Sequence, residues 1–395
     1  MNCVRLLLFA ALAATSVTMR AADNAVPSGF RDAPEWNIGA DILGGYVPGT
    51  NSFLDGNNDE GRNINSTFGG SLRVGFRFNP KSREGMLYRG LYQGVAVEVR
   101  SFDATSLLGT PVSVYAYQGM PFVYFGPRLS LGYEWHFGAA FGWKHYDKDV
   151  APDNGAVSTS VTAHMGLGLR LSYALTDRWR LSASVGVTHY SNGNTSLPNA
   201  GVNSINASVG ASYIINTLGK ASVPPAELVK EADAKRWFYD IVVYGAWRRR
   251  VVDVGYDPQL CPGKFGVIGL QFAPMRKFNR YFAAGAALDM KYDESTGLLP
   301  YWVDGTYDEN IKFYRPPFGK QLSIGLSAHA ELTMPIFAVN AGIGYDFLSP
   351  DGEKRFYQSL ALKAFLTKKL FLNVGYRLGN FKDPQNLMLG IGLRL

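Results

Sequence analysis

Between Leu181 and Val187 every second residue is apolar: Leu181, Ala183, Val185 and Val187 alternate with Ser182, Ser184 and Gly186. Alternation with period two marks a strand with one greasy and one polar face. The return run repeats it, with Ile205, Ala207, Val209, Ala211 and Tyr213 set against Ser204, Asn206, Ser208, Gly210 and Ser212. The pattern recurs along the 395-residue chain, and past the N-terminal stretch no apolar run is long enough to cross a bilayer as a helix. Forty-four Gly, 22 Tyr and 24 Phe distributed over short alternating strands give the profile of an antiparallel β-barrel of the bacterial outer membrane.

The N-terminus fits that address. Arg5 precedes an uncharged run from Leu6 to Ala14, and small residues follow at Ala21-Ala22. A basic start, a short apolar core and a small-residue exit read as a secretory signal over residues 1–22. Its removal leaves Cys261 as the one cysteine, so no intramolecular disulfide can form. A formal charge of +7 is consistent with anionic lipid head groups. Nucleic acid is excluded as a partner for an exported barrel.

In the first half the alternation gives a strand at Trp36–Ile42, a second at Ser71–Phe78 and a third at Val95–Arg100. A fourth is expected at Leu129–His136, a fifth at Phe137–Tyr146 and a sixth at Thr159–Ala174, with the Arg178–Ile215 hairpin supplying two more. Arg73, Arg77, Glu98 and Glu134 fall on the lumen side and call for mutual compensation, since lone buried charges are costly. Connections at Val47–Ser66, Ser101–Tyr124, Asp147–Ser158 and Asn192–Val202 are long, and the intervening ones shrink to Thr176-Asp177. Long loops face outward in such barrels, so the strand entering His189 climbs toward the outer leaflet.

The pattern then begins again. Trp237-Phe238-Tyr239-Asp240 parallels Trp36-Asn37-Ile38-Gly39, and Phe318–Gly325 parallels Phe125–Gly132. Leu366–Leu372 parallels Leu175–Leu181. This is an internal duplication: a first repeat over 23–216, a Pro-containing linker over 217–235 and a second repeat over 236–395, eight strands each. Two small barrels are favoured by the length of the linker; one sixteen-stranded barrel, which would be a pore, is the alternative.

Parity puts His189, Ser191 and Asn203 at the outer end of a face that is otherwise greasy, with Tyr190 on the other side. A nucleophile, a base and an orienting group there can reach a lipid. Here the chain resembles the PagL family of lipid A 3-O-deacylases, also described as acyloxyacyl hydrolases. The resemblance rests on His189-Tyr190-Ser191-Asn192 and on the loop Pro198-Asn199-Ala200-Gly201, and covers the first repeat only. It implies Ser191 as nucleophile and His189 as base, with the oxyanion held by the Asn192 side chain or by the amides of Gly193 and Asn194. Lipid A, lipopolysaccharide and outer-membrane lipids are the implied partners, and no cofactor is required. Asn203 stands where the family has a catalytic Glu. An amide orients an imidazole but does not offset its charge. The site is therefore weaker, assisted by an acid from another strand, or silent.

The second repeat offers Tyr376-Arg377-Leu378-Gly379-Asn380 at this place, with neither His nor Ser. Elsewhere Arg248, Arg249 and Arg250 are candidates for lipid phosphate contact, against a plain cluster of charge at a loop base. His136, His145, His164 and His329 lack metal-ligand spacing, and no metal site is expected. Asp55, Asn57 and Asp59 only loosely match a calcium loop, because Gly61 is displaced and Ser66 stands at position twelve. Cys261 reads as a turn residue, and Trp36, Trp237 and Trp247 as interfacial belts. The leading function is an outer-membrane serine esterase acting on lipid A. A structural or lipid-binding barrel without chemistry is the alternative.

Overall fold

The computed structural model describes residues 34–80, 82–217, 236–254, 257–261, 263–301, 312–350, 353–381 and 383–395. The signal segment and, from residue 218, the linker lie outside them. Eight antiparallel strands form the first unit: β1 (Glu35–Tyr46), β2 (Ser66–Arg77), β3 (Tyr92–Phe102), β4 (Gly109–Phe125), β5 (Leu129–Trp143), β6 (Val161–Ala174), β7 (Trp179–Ser191) and β8 (Val202–Ile214). Each pairs with its neighbour, and β8 returns to β1 over Asn37–Tyr46, which closes the barrel. Two short helices, α1 (Arg83–Leu87) and α2 (Thr105–Leu108), sit in its connections. Closure leaves no unpaired strand edge, the condition for a sheet to stand in hydrocarbon.

Two sequence expectations change here, and they cancel in the count. The segment expected as a long loop over Ser101–Tyr124 contains β4, and the two strands expected over Leu129–Tyr146 are one strand, β5. The ladder absorbs Pro111 and Pro121 of β4 at register shifts between Gly109 and Val112 and between Pro121 and Val123. Proline is tolerated in a sheet at such bulges. The connections after β1, β5 and β7 share one end of the barrel with the tip of β7.

Outside, Ile42, Leu72, Leu167, Val185 and Val209 are exposed, an apolar belt that would be untenable in water. Inside, the charged residues compensate one another in part: Arg73, Glu98 and Glu134 have partners, whereas Arg77, expected in the same network, has no ion pair among the described residues. Arg73 donates to Asp41 at 2.9 Å and to Glu134 at 2.7 and 2.9 Å, and Arg170 donates to Asp41 at 2.9 Å. Arg100 pairs with Glu98 at 2.8 Å. Above this lattice the outer loops build a core of their own. Phe53, Leu54, Ile64, Phe102, Leu108, Trp143 and Val157 pack with Tyr190 and Val202 at the outer ends of β7 and β8.

The second unit is also a closed barrel of eight strands, the last pairing with the first. It comprises β9 (Trp237–Arg248), β12 (Phe265–Lys277), β13 (Phe282–Asp293), β16 (Leu322–Thr333), β17 (Phe337–Leu348), β18 (Phe356–Phe365), β19 (Leu370–Gly379) and β20 (Asp383–Arg394). Its connections carry two small hairpins, β10 (Val251–Val254) with β11 (Asp257–Leu260) and β14 (Leu299–Tyr301) with β15 (Lys312–Tyr314), and a 3-10 turn at Phe318–Gln321. Two separate closures exclude the sixteen-stranded pore. In this lumen Lys363 bridges Asp240 and Glu331 at 2.8 and 2.7 Å, and Arg394 bridges the same two acids at 2.7 and 2.6 Å.

The repeat reading holds for two of its three matches. The turns at Leu175–Trp179 and Leu366–Leu370 both join the sixth strand to the seventh. In each, a threonine hydroxyl, Thr176 or Thr367, accepts from the amides two and three residues on. Phe125–Gly132, however, leads into a fifth strand, whereas Phe318–Gly325 leads into a fourth, running the opposite way. That similarity is local composition and not an equivalent position.

Candidate active site

Strand β7 carries its apolar side chains outward as far as Val187, 54% exposed, and then presents His189 and Ser191 on the same side. Tyr190, between them, is fully buried in the loop core, stacks edge-on against Trp143 at 5.1 Å and donates to Glu98 at 3.4 Å. The inward anchor thus fixes the two outward groups. Directly across the ladder from His189 stands Asn203 of β8.

His189 Nδ1 lies 2.7 Å from Asn203 Oδ1, and Asn203 Nδ2 donates to Thr50 Oγ1 at 3.3 Å. With the amide nitrogen turned to Thr50, the carbonyl oxygen faces the ring, so Nδ1 carries the hydrogen and Nε2 keeps its lone pair. Among the described residues the imidazole's partner is this amide, not a carboxylate. Gly201 closes the other side. At φ +78° it brings its Cα against the ring, and a Cβ there would lie 2.9 Å from His189 Cε1. Its amide donates to Ala156 O at 2.9 Å and its carbonyl accepts from Asn51 at 3.1 Å, which ties the β7–β8 loop to both neighbouring loops.

Ser191 Oγ accepts from the Gly193 amide at 3.1 Å and from Asn199 Nδ2 at 2.9 Å. Two accepted bonds occupy its lone pairs and leave its own hydrogen as the free valence. Gly193 and Asn194 both hold left-handed backbone, φ 63° and 61°, and this tight turn folds the Gly193 amide back onto the hydroxyl. No hydrogen bond joins Ser191 to His189 Nε2. Such catalytic contacts commonly tighten only once substrate is bound.

The oxyanion assignments change in part. Asn192 continues the alternation inward: its Nδ2 donates to Ser158 Oγ at 3.0 Å and to Ser196 O at 3.1 Å, so it is not free to face an ester. Asn194 contributes its side-chain oxygen, which accepts from Asn199 at 3.1 Å. The residue that sequence reasoning missed is Asn199. Its Oδ1 accepts from the Asn192 amide at 3.1 Å, which orients its Nδ2 toward the Ser191 hydroxyl.

The remaining candidates take structural places. Arg248 pairs with Asp293 at 3.1 Å and Arg250 with Glu353 at 2.9 Å, so the charge of these two is already matched within the protein. Cys261 is buried beside Phe265 and Leu298 rather than displayed on a turn. His136 bonds Glu134 and His164 bonds Ser113, each at the lumen side of a strand. Among the described residues no three His, Cys, Asp or Glu side chains are grouped as metal ligands.

The second barrel provides an internal contrast. Its β19 ends at Gly379, where Asn380 and Phe381, at φ 48° and 64°, turn the chain back. Tyr376 and Leu378 take the outward places. Within the lumen Ser327 bonds His329 Nε2 at 2.8 Å, and His329 Nδ1 bonds Asn340 at 2.6 Å. The bonding resembles that at β7 and β8, but all three side chains are buried inside the barrel, where no lipid reaches.

Closed antiparallel barrels with an apolar exterior and charge-compensated lumens define a bacterial outer-membrane β-barrel protein. Within that class the chain is PagL-like: the model of the lipid A 3-O-deacylase (PagL) family matches residues 90–212, and that of the acyloxyacyl hydrolase C-terminal domain matches residues 237–395. The second match extends the resemblance beyond the first repeat. Among solved structures, the outer membrane enzyme PagL is 16% identical over 44% of this chain and 97% of its own, with a TM-score of 0.30. Neisserial surface protein A is 17% identical over 45% and 96%, with a TM-score of 0.28. No curated protein matches the chain by sequence.

Proposed function

We propose that the first barrel is a serine esterase that removes an ester-linked acyl chain from lipid A in the outer leaflet. Ser191 is the nucleophile, His189 its base and Asn203 the group that orients the base. The observation carrying this reading is the 2.7 Å bond from His189 Nδ1 to Asn203, on the lipid-facing side and next to the outward Ser191. The PagL family match supports the substrate class.

The acyl chain lies along the apolar exterior, past Val187 and Ile205, with the sugar at the level of the loops. Ser191 Oγ attacks the ester carbonyl carbon as His189 Nε2 takes its proton. Gly193 N–H and Asn199 Nδ2, already beside Oγ, are within reach of the oxygen that becomes negative. Collapse expels the sugar alkoxide, which takes the proton from Nε2. Interfacial water, deprotonated by the same ring, then cleaves the acyl-enzyme and releases the fatty acid. The scheme requires no cofactor.

A second reading, a lipid-binding barrel with a silent site, is favoured by one observation: the imidazole meets an amide where the family has a carboxylate. Mass spectrometry of lipid A from cells expressing the wild type or Ser191→Ala separates the two. Loss of one acyl chain with the wild type alone establishes the esterase and its nucleophile. Identical lipid A, with both proteins folded in the outer membrane, refutes it in favour of the silent site.

A further inference from the structure

The lumen of the first barrel holds a second constellation at the opposite end from the site. Arg77 is the last residue of β2 and Arg180 the second residue of β7, so both stand at the short-turn mouth. They line one cavity of about 50 Å³. A water needs roughly 10–15 Å³ on such a measure, so the space accepts roughly three to five non-hydrogen atoms, the size of a phosphate group.

Four arginines, Arg73, Arg77, Arg170 and Arg180, line this cavity against a single carboxylate. Among the described residues Arg77 has neither an ion pair nor a hydrogen bond; its guanidinium lies 5.6 Å over the Tyr92 ring. The buried Nε of Arg180 has no partner, and its other contact is a loose one, 3.8 Å to Glu35. Ser172 and Ser212 line the same space, and among the described residues neither hydroxyl makes a hydrogen bond. The one lining carboxylate, Asp41, is already shared between Arg73 and Arg170. Two like charges thus line one cavity with the loose Glu35 contact of Arg180 as their one ion pair among the described residues, which is the reverse of the compensated lattice above them.

We propose that this mouth is a binding site for a phosphate-type anion, seated between Arg77 and Arg180 with Ser172 and Ser212 as further donors. A tetrahedral oxyanion satisfies guanidinium forks and hydroxyls together and removes their repulsion. Its source is either free phosphate or the head group of a phospholipid in the inner leaflet. The assignment is independent of the chemistry at Ser191.

The test uses the full chain folded in phosphatidylcholine nanodiscs, with heat-modifiability giving the unfolding midpoint. Inorganic phosphate, against chloride at equal ionic strength, is expected to raise the midpoint of the wild type, because a ligand of the folded state stabilises it. Arg77→Gln and Arg180→Gln are expected to keep or raise the phosphate-free midpoint, since the like-charge pair is gone, and to weaken phosphate binding about tenfold or more. Arg180→Lys, which keeps the charge and loses the fork, should fall between them. Nanodiscs containing phosphatidylglycerol, read by native mass spectrometry, separate the sources: a lipid retained by the wild type and lost in Arg180→Gln identifies a head group, whereas a response to phosphate alone identifies a soluble anion. A wild type that neither responds to phosphate nor retains the lipid overturns the proposal. So do variants that lose stability yet keep the full response.

Discussion

Replacing Asn203 by Asp puts a charge beside the imidazole of the proposed site, and the structure bounds the result. The two side chains are isosteric, and the ladder fixes residue 203 opposite His189, so the 2.7 Å contact is retained. The change is then nearly pure electrostatics: a carboxylate with its charge about 4 Å from that of the imidazolium formed as Ser191 is deprotonated. At that distance Coulomb energy is about 1 kcal/mol in bulk water and about 4 kcal/mol at an effective dielectric near 20. Asn203 is half-buried at the membrane boundary, between these limits. The expected rise in kcat therefore runs from roughly fivefold to about 10³-fold, below the ~10⁴ lost on the reverse change at a fully buried serine-protease Asp. The assay is release of fatty acid from lipid A by purified Asn203→Asp at low and high salt, with Ser191→Ala/Asn203→Asp as the blank. The gain should shrink with salt, as a partly exposed pair demands. An unchanged or lower rate, with folding intact, would mean that residue 203 is not coupled to proton transfer, and the assigned roles would fall.

Asn199→Ala should lower kcat about 10²–10³-fold, as removal of one oxyanion donor does, whereas Asn192→Ala should act mainly on loop stability; steady-state kinetics and thermal unfolding on the same samples distinguish the two. Gly201→Ala places a methyl 2.9 Å from His189 Cε1 at a backbone conformation that alanine rarely adopts. It is expected to lower kcat at least about tenfold while the barrel stays heat-modifiable. In the lumen, Arg73→Met leaves Glu134 and Asp41 short of a partner. It should cost about 3–5 kcal/mol of barrel stability, read as a lower urea midpoint, with Arg77→Met, which has no ion pair to lose, as the comparison.

The outward-inward alternation was the legible part of this chain. On β7 and β8 it predicted which residues face lipid, because a membrane on one side and a packed lumen on the other impose opposite chemistry at successive positions. Applied one residue further it also places Asn192 inside, and by the same parity Arg248, which pairs with Asp293. β4 was hidden for a different reason. Pro111, Pro121 and Gly119 read as punctuation, and Tyr115 and Tyr117 put aromatic rings on the lumen side, where polar residues are the usual signal. β5 was divided because fifteen residues exceed what the hydrocarbon layer demands. Asn199 could not be found by periodicity, since its role arises from a turn that folds the loop back on the strand it left.

The apolar core of the outer loops has a consequence for how this protein fails. Strand ladders are closed on themselves and open together, but Phe53, Leu54, Ile64 and Val157 come from loops that pack on one another and on the strand ends at Phe102, Trp143, Tyr190 and Val202. That assembly is a separate cooperative unit, of the kind that opens below the global transition. Tyr190 sits in it, so the face that carries the proposed site is registered by this loop core. Heated slowly, the protein is expected to lose the proposed esterase activity while still migrating as a folded barrel, and to regain it on cooling without ever leaving the membrane.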